Sequence, residues 1–305
     1  MMRTETKEKS VAVGEAASYG AAVKLRVITS GESLRAAVLA AREAGKTVGL
    51  VPTMGALHEG HLSLVDAARA ECDVTVVTVF VNPTQFAPHE DYRQYPRDLD
   101  HDLLLLEARG VDIVFAPTSD EMYGPNYATF VDVGPIGQVL EGEYRPTHFR
   151  GVATVVLKLF QLAPVDRAYF GRKDYQQTLI VRQMVADLNV PIVVRVCPTV
   201  REPDGLAMSS RNAYLTADER ERARALSRSL RLAEQLAAGG ERSVAMIRDQ
   251  LQREIERAGG VTLQYVAFVA DGTMNAVDTI DGPTTVAIAA TVGKTRLIDN
   301  TVIGE

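Results

Sequence analysis

The sequence predicts an α/β fold: a Rossmann-like parallel-sheet domain followed by a smaller α+β lid domain at the carboxy terminus. Three observations carry this prediction. From Leu25 to Cys197, short apolar runs alternate with segments of helical spacing, as in successive βαβ units. One of these runs, Asp73–Val81, is β-branched and apolar on both faces, which suits a central parallel strand. Beyond about Thr199 the alternation stops, and two amphipathic helices precede three strands with no crossover helix between them. The parallel domain is expected over residues 25–198 and the lid over 199–305. Residues 1–24 are polar and rich in Ala, Gly and Ser, and read as a flexible extension that carries no chemistry.

The elements follow in order. Leu25–Ile28 reads as a strand, and Ser30 caps a helix with apolar Leu34, Val38 and Ala41. Thr47–Val51 is a buried strand, and helical spacing resumes at Leu62. Tyr95–Asp100 leads into a helix ending near Arg109, with Gly110 as its C-cap. Val111–Ala116 is a strand and Thr129–Val133 a further short one. Residues 134–149 form a Gly- and Pro-rich loop of a length that is often functional. Gly151–Leu162 is an apolar helix wedged against the sheet, followed by the strand Arg167–Gly171 and a helix that Asp174 can cap. Pro191–Cys197 closes the parallel series. Thr216 and Glu219 form a capping box for a helix to about Ala238, and Arg242–Ala258 is the second helix. Leu263–Val269, Thr285–Ala290 and Thr295–Asn300 are the last strands.

Composition narrows the function. The chain has 305 residues and a net charge of -6, which disfavours nonspecific binding to nucleic acid. An anionic ligand therefore needs a local cluster of positive groups. No apolar run reaches transmembrane length, so no membrane partner is expected. Cys72 and Cys197 match no metal spacing and read as buried thiols of a reducing cytoplasm. No cluster of metal ligands is legible.

Three turns carry the chemistry. In the first, Val51-Pro-Thr-Met-Gly-Ala-Leu-His-Glu-Gly-His61, a strand runs through a tight turn into a helix. Gly55 permits the turn, Gly60 permits close approach, and the helix start offers N–H groups to a phosphate. His58 and His61 stand there as hydrogen-bond donors or proton carriers. Either one alone would read as a helix cap. In the second turn, Gly171-Arg-Lys-Asp174, Lys173 sits beside a helix N-terminus, where both are positive; that conflict points to an anion between them. In the third, Ser209, Ser210 and Arg211 bring two hydroxyls and a guanidinium to a polar loop, a set suited to a triphosphate. Asn82 and Gln85 follow a strand end, where ligands of open α/β sheets bind, although an ordinary Asn-Pro turn explains them equally well.

The His-x-Gly-His turn resembles the signature of the nucleotidylyltransferase superfamily. Together with Phe80-Val-Asn-Pro-Thr-Gln-Phe86, Arg145-Pro-Thr-His-Phe149, Lys173-Asp-Tyr-Gln-Gln177 and Asp204-Gly-Leu-Ala-Met-Ser-Ser-Arg-Asn212, it resembles the pantoate–β-alanine ligase (pantothenate synthetase) family from about Leu25 to Asn300. The resemblance implies ATP, Mg²⁺, pantoate and β-alanine, a pantoyl-adenylate intermediate and a homodimer. It implies nucleotide contacts from Met54, Gly55, His58, Gly60 and His61, from Gly171, Lys173 and Asp174, and from Val200, Met208, Ser209, Ser210 and Arg211. Gly171 and Asp174 would meet the ribose, and Val200 and Met208 the adenine. Gln85, Gln177 and Met54 would hold pantoate, with Asn82 in the same pocket. His58, His61 and Lys173 form the expected catalytic set, with His61 for acid/base work. Arg172 departs from the Glu or Gln frequent in the family, and the extension before Leu25 is longer than usual. Two alternatives stay open: a nucleotidylyltransferase acting on a phosphate acceptor, and a nucleotide-binding dimer without turnover.

Overall fold

Two β-sheets of different construction organise the chain. The structure, a computed structural model, describes residues 25–305 apart from His89, so the extension expected over 1–24 lies outside the described residues. In chain order the elements are β1 (Arg26–Ile28), α1 (Gly31–Glu43), β2 (Val48–Thr53), α2 (Glu59–Glu71), β3 (Val74–Val79), α3 (Leu99–Ala108), β4 (Ile113–Phe115), the single-turn α4 (Ser119–Met122) and α5 (Glu141–Tyr144), α6 (His148–Leu162), β5 (Arg167–Gly171), α7 (Tyr175–Asp187) and β6 (Val193–Cys197). The carboxy-terminal domain adds α8 (Ala217–Ala238), α9 (Val244–Ala258), β7 (Val261–Ala270), β8 (Thr284–Val292) and β9 (Thr295–Ile303).

The first six strands form one parallel sheet in the order β1-β4-β3-β2-β5-β6. Its central strands are buried on both faces, as their β-branched runs require. Val48, Leu50, Val76 and Phe170 face a core shared with α1, α6 and α7. Val51, Val77, Val114 and Tyr169 face a second core closed by α2 and α3. Strands β7, β8 and β9 form a separate antiparallel sheet, covered by the apolar faces of α8 and α9. Strand order reverses between β2 and β5. Open α/β sheets place ligands at such a point, beyond the carboxyl ends of the strands. The histidine turn leaves β2 there, and the Lys173 turn leaves β5 beside it.

Local chemistry sets most boundaries. Ser30 caps α1, Asp98 caps α3, and Thr216 with Glu219 closes a capping box on α8. Gly110, at φ +66°, takes the left-handed residue after α3. Three expectations need correction. Thr129–Val133 is not a strand: the Val131 N–H donates to Thr154 Oγ1 of α6 at 2.9 Å, so the segment binds a helix instead of a sheet edge. Helix α6 begins at His148, one turn earlier than its apolar run, because the Gly151 N–H reaches the Thr147 carbonyl at 3.1 Å. Cys72 and Cys197 are free and only partly buried, at the rim of the second core. No helix among the described residues is long and apolar enough to cross a membrane.

Helix α6 also fixes a part of the site. A Cβ on Gly151 would lie 2.3 Å from the Thr84 carbonyl oxygen and 2.6 Å from the Gln85 nitrogen, both backbone atoms. Only glycine lets α6 approach the short 3-10 turn Pro83–Gln85 this closely. Gly151→Ala should cost about 1–3 kcal/mol of stability through overpacking, a fall of several degrees in Tm. A Tm matching the parent within error would show that the contact is loose.

Candidate active site

The first turn is strained and held from behind. Gly55 and Ala56 both have positive φ, +81° and +51°, and Ala56 has a side chain that disfavours this region. The buried Asp102 of α3 holds them there. Its carboxylate accepts from the Ala56 N–H at 3.0 Å and the Leu57 N–H at 2.8 Å. A Cβ on Gly55 would stand 2.8 Å from Asp102 Oδ2. Gly55 therefore shapes the turn from below, and it does not line the cavity as a nucleotide contact would.

The turn delivers His58 to the N-cap of α2. His58 Nδ1 accepts from the Gly60 N–H at 3.2 Å, and the His58 N–H donates to His61 Nδ1 at 3.4 Å. The His61 N–H bonds back to the His58 carbonyl at 2.8 Å. The helix N–H groups expected to face a phosphate are thus partly used inside the turn. With both Nδ1 atoms accepting, an uncharged ring carries its proton on Nε2. The helix's positive end is presented through two imidazole Nε2–H groups, on rings whose centroids lie 4.1 Å apart.

Burial, and then the Lys173 ammonium, lowers the His58 pKa from 6.5 to about 4. Burial, and then His58, lowers that of His61 from 6.5 to about 3. Both rings are neutral at neutral pH. Lys173 sits in a 3-10 turn, Arg172–Asp174, between β5 and α7. Asp174 does not cap α7 with its side chain as expected; its carboxylate lies 3.5 Å from Lys173 Nζ instead.

In the third turn, Ser209 accepts from the Arg211 N–H at 3.3 Å, and Ser210 Oγ lies 3.1 Å from the Tyr95 hydroxyl. Arg211 is not a free fork. Its Nε and one terminal nitrogen each donate to Asp91 at 2.9 Å.

One cavity is lined by Met54, His58, Gly60, His61, Gln85, Gly171, Lys173, Asp174, Gln177, Val200, Met208, Ser209, Ser210 and Arg211. Of the residues singled out in the sequence, only Gly55 and Asn82 fall outside it. Asn82 lines an adjoining pocket with Met54, Gln85, Gln177 and apolar Val152, Val155 and Phe170. Asn82 is buried and engaged at both ends of its amide. It donates to Gln85 Oε1 at 3.0 Å and the Gly151 carbonyl at 3.2 Å, and it accepts from Thr84 and from the Tyr123 hydroxyl at 2.7 Å. It orients Gln85 and has little left to offer a ligand.

Arg145 and His148, quoted in a sequence motif but given no role, also line the cavity. Arg145 pairs with Glu90 and lies 3.1 Å from His148 Nε2, while His148 Nδ1 faces the Gln85 carbonyl oxygen at 3.0 Å. Burial, then Arg145, lowers the His148 pKa to about 4. Here Nε2 accepts and Nδ1 carries the proton, the tautomer opposite to that of the first turn. The sequence signal was Arg145-x-x-His148 inside a long loop; its partner Glu90 lies far away in the chain.

Comparison with known proteins identifies the family. A family model described as pantoate-beta-alanine ligase matches residues 26–302. The chain is 52% identical over 280 residues to the pantothenate synthetase of Thermotoga neapolitana, covering 92% of this chain and 100% of that protein. It is 50% identical over 280 residues to pantothenate synthetase 1 of Bradyrhizobium diazoefficiens, covering 92% and 98%. The crystal structure of pantothenate synthetase from Thermus thermophilus superposes with a TM-score of 0.86 at 45% identity, covering 90% of this chain and 98% of that one. That of the pantoate-beta-alanine ligase from Francisella tularensis, complexed with beta-gamma ATP and beta-alanine, gives 0.76 at 33% identity, covering 92% and 98%. With the family model spanning nearly all described residues and relatives at half identity over their full lengths, the chain belongs to the pantoate–β-alanine ligase family.

Proposed function

We propose that this protein condenses pantoate with β-alanine at the expense of ATP, through the cavity that joins the three turns. One observation carries the residue-level reading: two neutral imidazoles, an ammonium and a hydroxyl-bearing loop share one cavity with the amides of Gln85 and Gln177. In the first step the pantoate carboxylate oxygen attacks the α-phosphorus of ATP. The bond to the bridging oxygen breaks, giving pantoyl adenylate and pyrophosphate. In the second step the β-alanine amine attacks the acyl carbon, AMP leaves with the bonding pair, and the amine loses a proton.

The first step concentrates negative charge on phosphoryl oxygens, so prepositioned donors lower its barrier. His58 and His61 supply Nε2–H groups, and Lys173 supplies the positive charge. Ser209 and Ser210 approach the outer phosphates, and Arg211 reaches them by leaving or sharing Asp91. Gly171 and Asp174 border the ribose, and Val200 and Met208 the adenine. Gln85 and Gln177, beside Met54, suit the hydroxyls of pantoate and, being neutral, do not compete with its carboxylate. Closure of the carboxy-terminal domain keeps water from the acyl adenylate. A ring that protonates only near pH 3 is a weak base, so His61 is assigned to hydrogen-bond donation, and the amine proton of the second step goes to solvent.

Mg²⁺ belongs to this reading through the nucleotide. Among the described residues no group of three His, Cys, Asp or Glu side chains is placed to hold a metal ion. The ion would be held chiefly by phosphate oxygens and waters, as Mg²⁺ often is, and would neutralise triphosphate charge. The homodimer and a cytoplasmic location are part of the same proposal.

The reaction predicts pantoate-dependent exchange of labelled pyrophosphate into ATP without β-alanine, and pantothenate plus AMP once β-alanine is added. Lys173→Ala or His58→Ala should lower exchange by about a hundredfold to a thousandfold. Folded protein showing no exchange, or unimpaired exchange in both variants, would refute the assignment.

Histidines held neutral also make stability depend on pH. The unfolded chain binds protons below pH 6.5, whereas the folded rings at His58 and His148 resist until about pH 4. Stability is therefore full above pH 6.5 and is lost as the pH falls from 6.5 toward 4. By pH 5 each such ring should cost roughly 1–2 kcal/mol, allowing for solvent screening. Thermal melts should show Tm falling between pH 7 and pH 5; a Tm that is level or rises across that window would contradict the neutral-histidine description.

A further inference from the structure

The turns that carry Lys173 and Ser209 belong to different parts of the chain, so something must set the distance between them. Adjacent residues of β9 do this. Successive side chains of a strand point to opposite faces, which lets one short step of β9 reach two neighbours. Asn300 Nδ2 donates to the backbone carbonyls of Arg172 and Lys173, at 3.0 and 2.9 Å. Asp299 accepts from both terminal nitrogens of Arg201, at 2.6 and 3.0 Å. Arg201 begins the loop that pairs with itself at Ala207 and leads to Met208 and Ser209. The Met208 N–H returns to the Val200 carbonyl at 3.0 Å, so a shift of Arg201 moves the whole loop.

Both side chains are buried, Asp299 at 3% and Asn300 at 4% exposure, so neither bond exchanges readily with water. The strand itself is paired to β8 along its whole length, with Asp299 opposite Ile288 and Asn300 opposite Ala287. It is a rigid ruler for the two loops. Arg172 adds a second tie from the same sheet. Its guanidinium donates to Asp271 at 2.6 Å and to Thr285 at 3.2 Å, which gives this departure from the family pattern a structural partner.

We propose that Asp299 and Asn300 are positioning residues: through Arg201 and through the Lys173 backbone they fix the spacing between the two phosphate-facing turns. The proposal rests on the reading of Lys173 as a phosphate donor. It also limits domain closure to movements that keep β9 against the Lys173 turn. A purely structural role for the pair would lower stability alike in any background. A positioning role acts only while the positioned group is present.

The test is a double-mutant cycle on pantoate-dependent pyrophosphate–ATP exchange. Asn300→Leu, which keeps the volume and removes both bonds, should lower kcat by about tenfold to a hundredfold while KM for pantoate changes by less than about threefold. In a Lys173→Ala background the same change should cost less than about twofold. Should Asn300→Leu fail to fold, Asn300→Ser, too short to reach both carbonyls, gives the same comparison. Asp299→Asn should behave likewise against Ser209→Ala. Equal losses in both backgrounds, or a kcat like the parent's, would overturn the proposal. Lys173→Ala alone retaining full exchange would sink the phosphate-donor reading and this inference with it, a result distinct from failure of Asn300 alone.

Discussion

His58, His61 and Lys173 crowd the junction of β2 and β5, in a crevice that Arg145 and Arg211 also line while paired with Glu90 and Asp91, and partly desolvated walls disfavour any further positive charge there. The consequence is a division of labour. The charge of Lys173 adds to burial in depressing His58; His58 and His61 stay uncharged and act through N–H dipoles. Their tautomer follows from the backbone, because Gly60 and His58 each point an N–H at an Nδ1 atom. That arrangement needs the left-handed turn at Gly55 and Ala56, and the turn needs a buried carboxylate beneath it. Asp102, which does not line the cavity, is thus as much a condition of the site as the histidines are.

The fold supplies the convergence. Reversal of strand order between β2 and β5 puts two turns side by side at one edge of the sheet. The segment between β6 and α8 brings the third, bonded into the crevice. Arg211 meets Asp91, Ser210 meets Tyr95, and β9 meets the Lys173 turn. The neutral-amide slot is likewise built from packing: Gly151 lets α6 approach, Asn82 orients Gln85, and His148 holds the Gln85 carbonyl.

What the sequence disclosed is local in origin. Strand and helix periods, caps at Ser30 and Thr216, and the composition of the three turns all depend on neighbours within a few residues. The expectation for Thr129–Val133 failed because a β-branched run marks a strand only if a sheet edge receives it, and here Thr154 took the N–H instead. Asp174 looked like a cap but found Lys173. Asp102, the Arg145–Glu90 pair and the Asp299–Asn300 step were invisible because their partners lie tens to more than a hundred residues away. Asn82 and Gln85 were legible as a strand-end pair, but not that one of them is spent on holding the other.

The central claim is that the nucleotide meets two neutral imidazoles, each with its proton on Nε2. Imidazole ¹⁵N NMR of the folded protein tests it most directly. The account predicts that at pH 7 His58 and His61 each show an unprotonated, acceptor-type Nδ1 and a protonated Nε2, and that neither ring takes up a second proton until the pH approaches 4. Imidazolium signals from either ring at pH 7, or a proton on Nδ1, would contradict it.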